Sequence, residues 1–140
     1  MADTTLEDLQ KSLQKIVDSI RVKKNEQQIY LNKANEVQEV YNRLLQDKRT
    51  MKEYRNEIKT FYGTSYTDFV GDNYKNKYKP KVKDLLNSYD QVIRLIDRNL
   101  DQLNNEILSY KNQASNCWGI LGSLQRSYNT VKTKIQNWTN

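Results

Sequence analysis

The sequence predicts an all-α fold: an elongated antiparallel hairpin of two long helices packed as a coiled coil. Three observations carry the prediction. Among 140 residues only four are Gly and one is Pro, too few turn-formers for an all-β chain. The second half holds a 4-3 apolar repeat that runs for eight heptads without a slip. Gly63, Gly71 and Pro80 gather near the middle, where two helices of similar length need a corner. The expected organisation is one domain over 1–140: helix 1 at about 4–61, a corner at 62–71 and helix 2 at about 72–138. Breaks in this plan are expected near residues 25 and 80.

Helix 1 follows from two interleaved series. One runs Leu9, Ile16, Lys23, Tyr30, Val37, Leu44, Met51, Ile58; its companion runs Leu6, Leu13, Ile20, Gln27, Ala34, Tyr41, Lys48. After Lys48 the stripe is expected to shift to Tyr54 and Phe61. Polar residues interrupt it over Val22–Gln28 and around Lys48. These are read as weak points, or as places where polar side chains set the register.

The corner has its own signals. Gly63 is a stop for helix 1, and Ser65 with Asp68 has the spacing of a capping box for helix 2. Pro80 is expected as a kink a few turns inside helix 2, because Tyr74 and Tyr78 already stand at i, i+4.

Helix 2 carries the clearest pattern. Val82, Tyr89, Ile96, Leu103, Tyr110, Cys117, Leu124, Val131 and Trp138 alternate with Leu86, Ile93, Leu100, Ile107, Ala114, Leu121, Tyr128 and Ile135. An unbroken helix of that length spans roughly 85 Å. Leu85, Val92 and Leu95 flank this seam, as Val17, Val40 and Leu45 flank the first. So broad an apolar arc calls for a further helix against it. Either helix 2 folds back near 115–120 to make a three- or four-helix bundle, or the surface lies on a partner. Trp118, one step off the seam, fits a bundle core and an interface anchor equally.

Chemistry is bounded by what the composition lacks. There is no His, which removes the usual base near neutral pH and the commonest metal ligand. The single Cys117 falls on the seam and reads as a packed small hydrophobe, with no histidine to activate it. Gly119 and Gly122 lack the spacing and lysine of a phosphate loop, and fit the close approach of another helix instead. No catalytic, metal or cofactor residues are expected, and the chain is not expected to be an enzyme.

The formal charge is +6, and its densest basic patch is Lys75, Lys77, Lys79, Lys81 and Lys83. On a helix Lys75, Lys79 and Lys83 share one face while the other two lie elsewhere, so the charge is splayed rather than focused into a groove. A solvated helix is expected there rather than a nucleic-acid or anionic-membrane site. The N-terminus M-A-D-T-T-L-E-D-L-Q is no Sec-type signal, and no stretch approaches the length of a membrane span. A cytoplasmic location is expected.

The corner also supports a resemblance. Long helix, aromatic-x-Gly, long helix resembles the WXG-type helical hairpins of type VII secretion, with Phe69-Val70-Gly71 carrying Phe where those proteins have Trp. F-V-G-D-N-Y-K-N-K-Y, with the later N-L-D-Q-L-N-N-E-I, is similar to the YwqH-like family, small helical proteins encoded beside LXG-domain toxins. The resemblance implies an accessory protein that binds the helical N-terminal region of an LXG toxin, with a second small helical protein as a further partner. A hetero-oligomer is then expected rather than a homodimer. By carry-over Phe69 would help build the surface with the partner and Gly71 would permit the turn. No Tyr-x-x-x-Asp/Glu export signal occurs, because Glu57 follows Tyr54 one residue early. Export would therefore rest on the partner's signal, or not occur. The residues expected to meet a partner are Phe69, Gly71, Leu85, Val92, Leu103, Ile107, Trp118 and Leu121. The alternatives are a self-associating structural coiled coil and, in another class, a basic-patch binder of nucleic acid or anionic surfaces.

Overall fold

The computed structural model describes residues 5–63 and 79–139. They form an all-α helical hairpin of two helices, α1 (Leu6–Gly63) and α2 (Lys79–Thr139). The expected corner, with Phe69, Gly71 and the Ser65–Asp68 pair, lies outside the described residues, as do Lys75 and Lys77.

Helix α1 starts on a reciprocal cap. The Asp8 backbone N–H donates to Thr5 Oγ1 at 3.1 Å, and the Thr5 N–H donates back to Asp8 Oδ2 at 3.3 Å. Two of the amides that a helix start leaves unpaired are satisfied this way. From there α1 runs unbroken through Val22–Gln28, so the expected weak point is no break. Helix α2 is described from Lys79 and runs through Pro80. The residues before Lys79, on which the expected kink at Pro80 depends, lie outside the described residues. Helix α2 does not fold back at 115–120; it continues through Gly119 and Gly122.

The chain divides into two units. The first pairs Met1–Glu36 with Glu106–Asn140, and the second is Val37–Asn105. Heptad letters make each legible, with Leu6 of α1 and Leu86 of α2 at position a, so that seam residues occupy a and d. Every a and d position of α2 from Val82 to Ile135 is buried or half-buried. In the first unit Leu9, Ala34, Ile107, Ala114 and Cys117 are buried; in the second, Ile96 and Leu100 are. Among the described residues none has a side chain wholly removed from water, because a two-helix seam is one layer deep.

In α1 the seam does not shift after Lys48, contrary to expectation. It continues through Arg55, which is half-buried, while Tyr54 and Phe61 stand half or more exposed. Arg can hold a seam position because its aliphatic stem packs while its guanidinium reaches the edge.

Two contrasts test this architecture. Leu100→Ala and Ile107→Ala should each lower stability by about 2–4 kcal/mol, whereas Leu95→Ala should change it by less than about 0.5 kcal/mol. Gly119→Ala should raise stability by about 1 kcal/mol, since a Cβ there meets nothing within 4 Å. Urea denaturation followed by circular dichroism measures all four.

Candidate helix-docking surfaces

The pairs crossing between the helices show which flanks share an edge. In the first unit Gln27 Nε2 donates to the Ala114 carbonyl at 3.4 Å, joining a to a. Glu26 at g lies beside Cys117 at d, with the thiol 4.0 Å from Oε2. Lys33, also at g, stands over the Tyr110 ring with Nζ 5.8 Å from its centroid. In the second unit Lys48 pairs with Asp97 and Arg55 with Asp90, each joining a to e. The partners descend along α2 as they ascend along α1, so the helices are antiparallel. The a and e positions of both helices line one edge of each unit, and the d and g positions line the other.

The polar residues of the α1 seam therefore all have partners. Lys23 Nζ reaches Glu26 Oε2 at 2.9 Å, the same oxygen that faces the Cys117 thiol. Arg55 is bidentate on Asp90, its Nη2 donating to Oδ2 at 3.2 Å. Water screens pairs at these edges, so their attraction adds little to stability. A buried leucine is worth about 1.5–3 kcal/mol, so the apolar layers hold the hairpin and the polar pairs that cross between the helices select its register.

The hydrogen bonds from Arg55, then its charge with those of Arg94 and Lys59, hold the Asp90 carboxyl below the ordinary 3.8; desolvation opposes them. Arg55 is raised in turn by its bond to Asp90, and Lys23 by its bond to Glu26.

The expected partner residues separate into three groups. Ile107 is buried in the seam, and Leu103 and Leu121 are half-buried on it, so these three act within the hairpin. Leu85 (46% exposed), Val92 (37%) and Trp118 (71%) face outward. Phe69 and Gly71 lie outside the described residues. The structure adds others, namely Val17, Ile29, Leu31, Val40 and Leu108, all exposed. Single-residue hydrophobicity hinted at these. Only the observed edge assignment sorts them: Leu85 and Val92 on the d/g edge of the second unit, Val17, Leu31 and Trp118 on the a/e edge of the first.

Of the expected basic patch, Lys79, Lys81 and Lys83 are described, and all three are exposed. An open hollow of about 600 Å³ runs along α1, lined by Glu53, Asn56, Glu57, Thr60 and Phe61. Among the described residues no three His, Cys, Asp or Glu side chains come together as a metal site, and no helix is long and apolar enough to cross a membrane.

Comparison with family models, curated proteins and solved structures gives no match for this chain.

Asp90 allows a direct check. Its folded pKa is depressed, so its contribution to stability is present above pH 3.8 and is lost as pH falls through the lower folded value. The stability gap between the wild type and Asp90→Asn should be widest near neutrality and close in that acid range. Urea midpoints measured across pH 2–7 would show it.

Proposed function

We propose that this chain is a non-enzymatic accessory protein that works by helix-on-helix association, binding the helical N-terminal region of an LXG-type toxin for type VII secretion. One observation carries the helix-docking part: after the hairpin has buried its single seam, large apolar side chains still stand exposed beside it, among them Leu85, Val92 and Trp118. They sit at e and g positions, the flanks that a third helix packs against in a bundle. Exposed apolar patches with polar rims mark interaction sites. The toxin as client comes from the resemblance carried by Phe69-Val70-Gly71 and the helix after it. A second small helical protein would join the same assembly, and export would rely on the partner's signal. A cytoplasmic complex is the corresponding place of action.

Self-association is the second reading, since the same flanks could pair between two copies. The experiment is co-expression with the N-terminal region of an LXG toxin encoded by a neighbouring gene, followed by affinity and size-exclusion chromatography. A stable heteromeric complex is expected, weakened at least about tenfold by Leu85→Asp with Val92→Asp while the helical content stays unchanged. A homodimer indifferent to the toxin region would establish self-association instead.

A further inference from the structure

Beyond Glu7, which pairs with Lys11, the a/e edge of the first unit has no acidic side chain among the described residues. Stepping by sevens along α1 from Gln10 at e and from Gln14 at b, the position just outside e on the helix surface, no acidic residue occurs up to Asn35. The same steps along α2 from Leu108 and from Lys111 meet none up to Gln136. The charged residues at these positions are all cations: Arg21, Lys24, Lys111 and Lys132. Arg21 shares Asp18 at 3.6 Å, and Lys132 lies over the Tyr128 ring, Nζ to centroid 5.9 Å. Lys24 and Lys111 are exposed and make no ion pair among the described residues.

Apolar anchors alternate with those two free cations. The 27–114 and 33–110 contacts fix the level of each residue. Lys24 on α1 then stands across from Trp118 on α2, and one heptad along, Leu31 stands across from Lys111. Val17 and Leu108 extend the line at its two ends, 41% and 57% exposed. Beside Trp118 the outer flank of α2 is cut low by Ser115 and Gly122, and a Cβ at Gly122 would touch only Arg126 Nη1 at 3.6 Å. Two glycines in a helix interior weaken it with no packing need inside the chain. They do leave room for another backbone to approach the indole.

We infer that this edge is a docking groove for an acidic amphipathic helix of another protein, its apolar stripe on Val17, Leu31, Leu108 and Trp118 and its carboxylates on Lys24 and Lys111. The inference rests on the helix-docking reading above and names the chemistry of the partner. Charge complementarity selects the occupant. A second copy placed isologously on this edge would offer the same excess of cations and no carboxylate for Lys24 and Lys111. The seven-residue repeat of anchors and cations on both helices matches the ridge of a third helix rather than a flat bilayer or a phosphate backbone.

The test uses the full chain with Trp138→Phe, so that Trp118 alone reports. The probes are two synthetic amphipathic helical peptides with the same leucine stripe, one flanked by Glu and the other by Lys. The Glu peptide should shift Trp118 emission to shorter wavelength and bind at least about tenfold more tightly than the Lys peptide, with affinity falling as salt rises. Gly122→Leu, and Lys24→Glu with Lys111→Glu, should each cost at least about tenfold in binding, with circular dichroism unchanged; the charge reversal should invert the preference between peptides. In isothermal titration Trp118→Ala should lose the Glu peptide to the same extent. Equal binding of both peptides, binding of neither, or indifference to these substitutions overturns the inference. So does Trp118-dependent binding of phosphatidylserine vesicles or duplex DNA in place of the peptide. A toxin region that binds but ignores these substitutions would leave the accessory reading standing and remove this groove. A groove that takes the Glu peptide while the toxin region fails to bind would do the reverse.

Discussion

The unbroken apolar stripe of α2 is the constraint on which the rest of the molecule depends. With an apolar or aromatic residue at every a and d position from Val82 to Trp138, α2 can be satisfied only by a partner helix presenting a matching stripe. α1 is that helix, and its stripe is less greasy: Lys23, Gln27, Lys48 and Arg55 hold seam positions. An all-apolar pair of stripes could slide by a heptad and pack almost as well. Three of the polar four, Gln27, Lys48 and Arg55, reach across to the Ala114 carbonyl, Asp97 and Asp90 and would leave those partners behind on sliding, while Lys23 pairs with Glu26 inside α1. Adhesion comes from one helix and address from the other.

A single seam also limits what the hairpin can hide. The buried set is small, and its flanks cannot be covered by the same two helices. Exposed Leu, Val and Trp side chains are thus a geometric consequence of putting apolar residues at e and g in a two-helix fold. Their two locations differ in character. On the second unit the a/e edge is occupied by the Lys48–Asp97 and Arg55–Asp90 pairs, leaving the d/g edge with Leu85 and Val92 apolar. On the first unit the a/e edge carries no acid from Gln10 to Asn35 on α1 or from Leu108 to Gln136 on α2.

The fold was legible where apolar residues report directly on burial. The α2 seam could be read residue by residue, because Leu, Ile, Val and Tyr at a fixed spacing have one physical use in so polar a chain. Arg55 was not legible. A search for apolar residues passes over a guanidinium and settles on Tyr54, one position early, although the heptad count from Lys48 lands on 55. The Thr5–Asp8 cap is written in the sequence as a Thr-x-x-Asp spacing that opens just before the first apolar residue of the stripe. Continuity at Gly119 and Gly122 could not be read from those glycines alone. It follows from Cys117, Leu121 and Leu124, whose packing on α1 outweighs a glycine penalty of about 1 kcal/mol each. For the candidate surface, composition exposed Trp118, Leu85 and Val92 as off-seam residues. Which edge each lies on needed the cross-helix pairs, since helical spacing does not say how the second helix is rotated against the first.

The paired seams make chain length countable in sevens. Seven residues added to α1 and seven to α2 at one level would insert two further layers and leave every existing contact in place. One residue added to either helix would turn all later seam positions by about 100° toward water. Length changes in such a chain are therefore either matched and nearly silent or unmatched and ruinous. A lineage carrying this hairpin would vary in whole heptads, taken from both helices together.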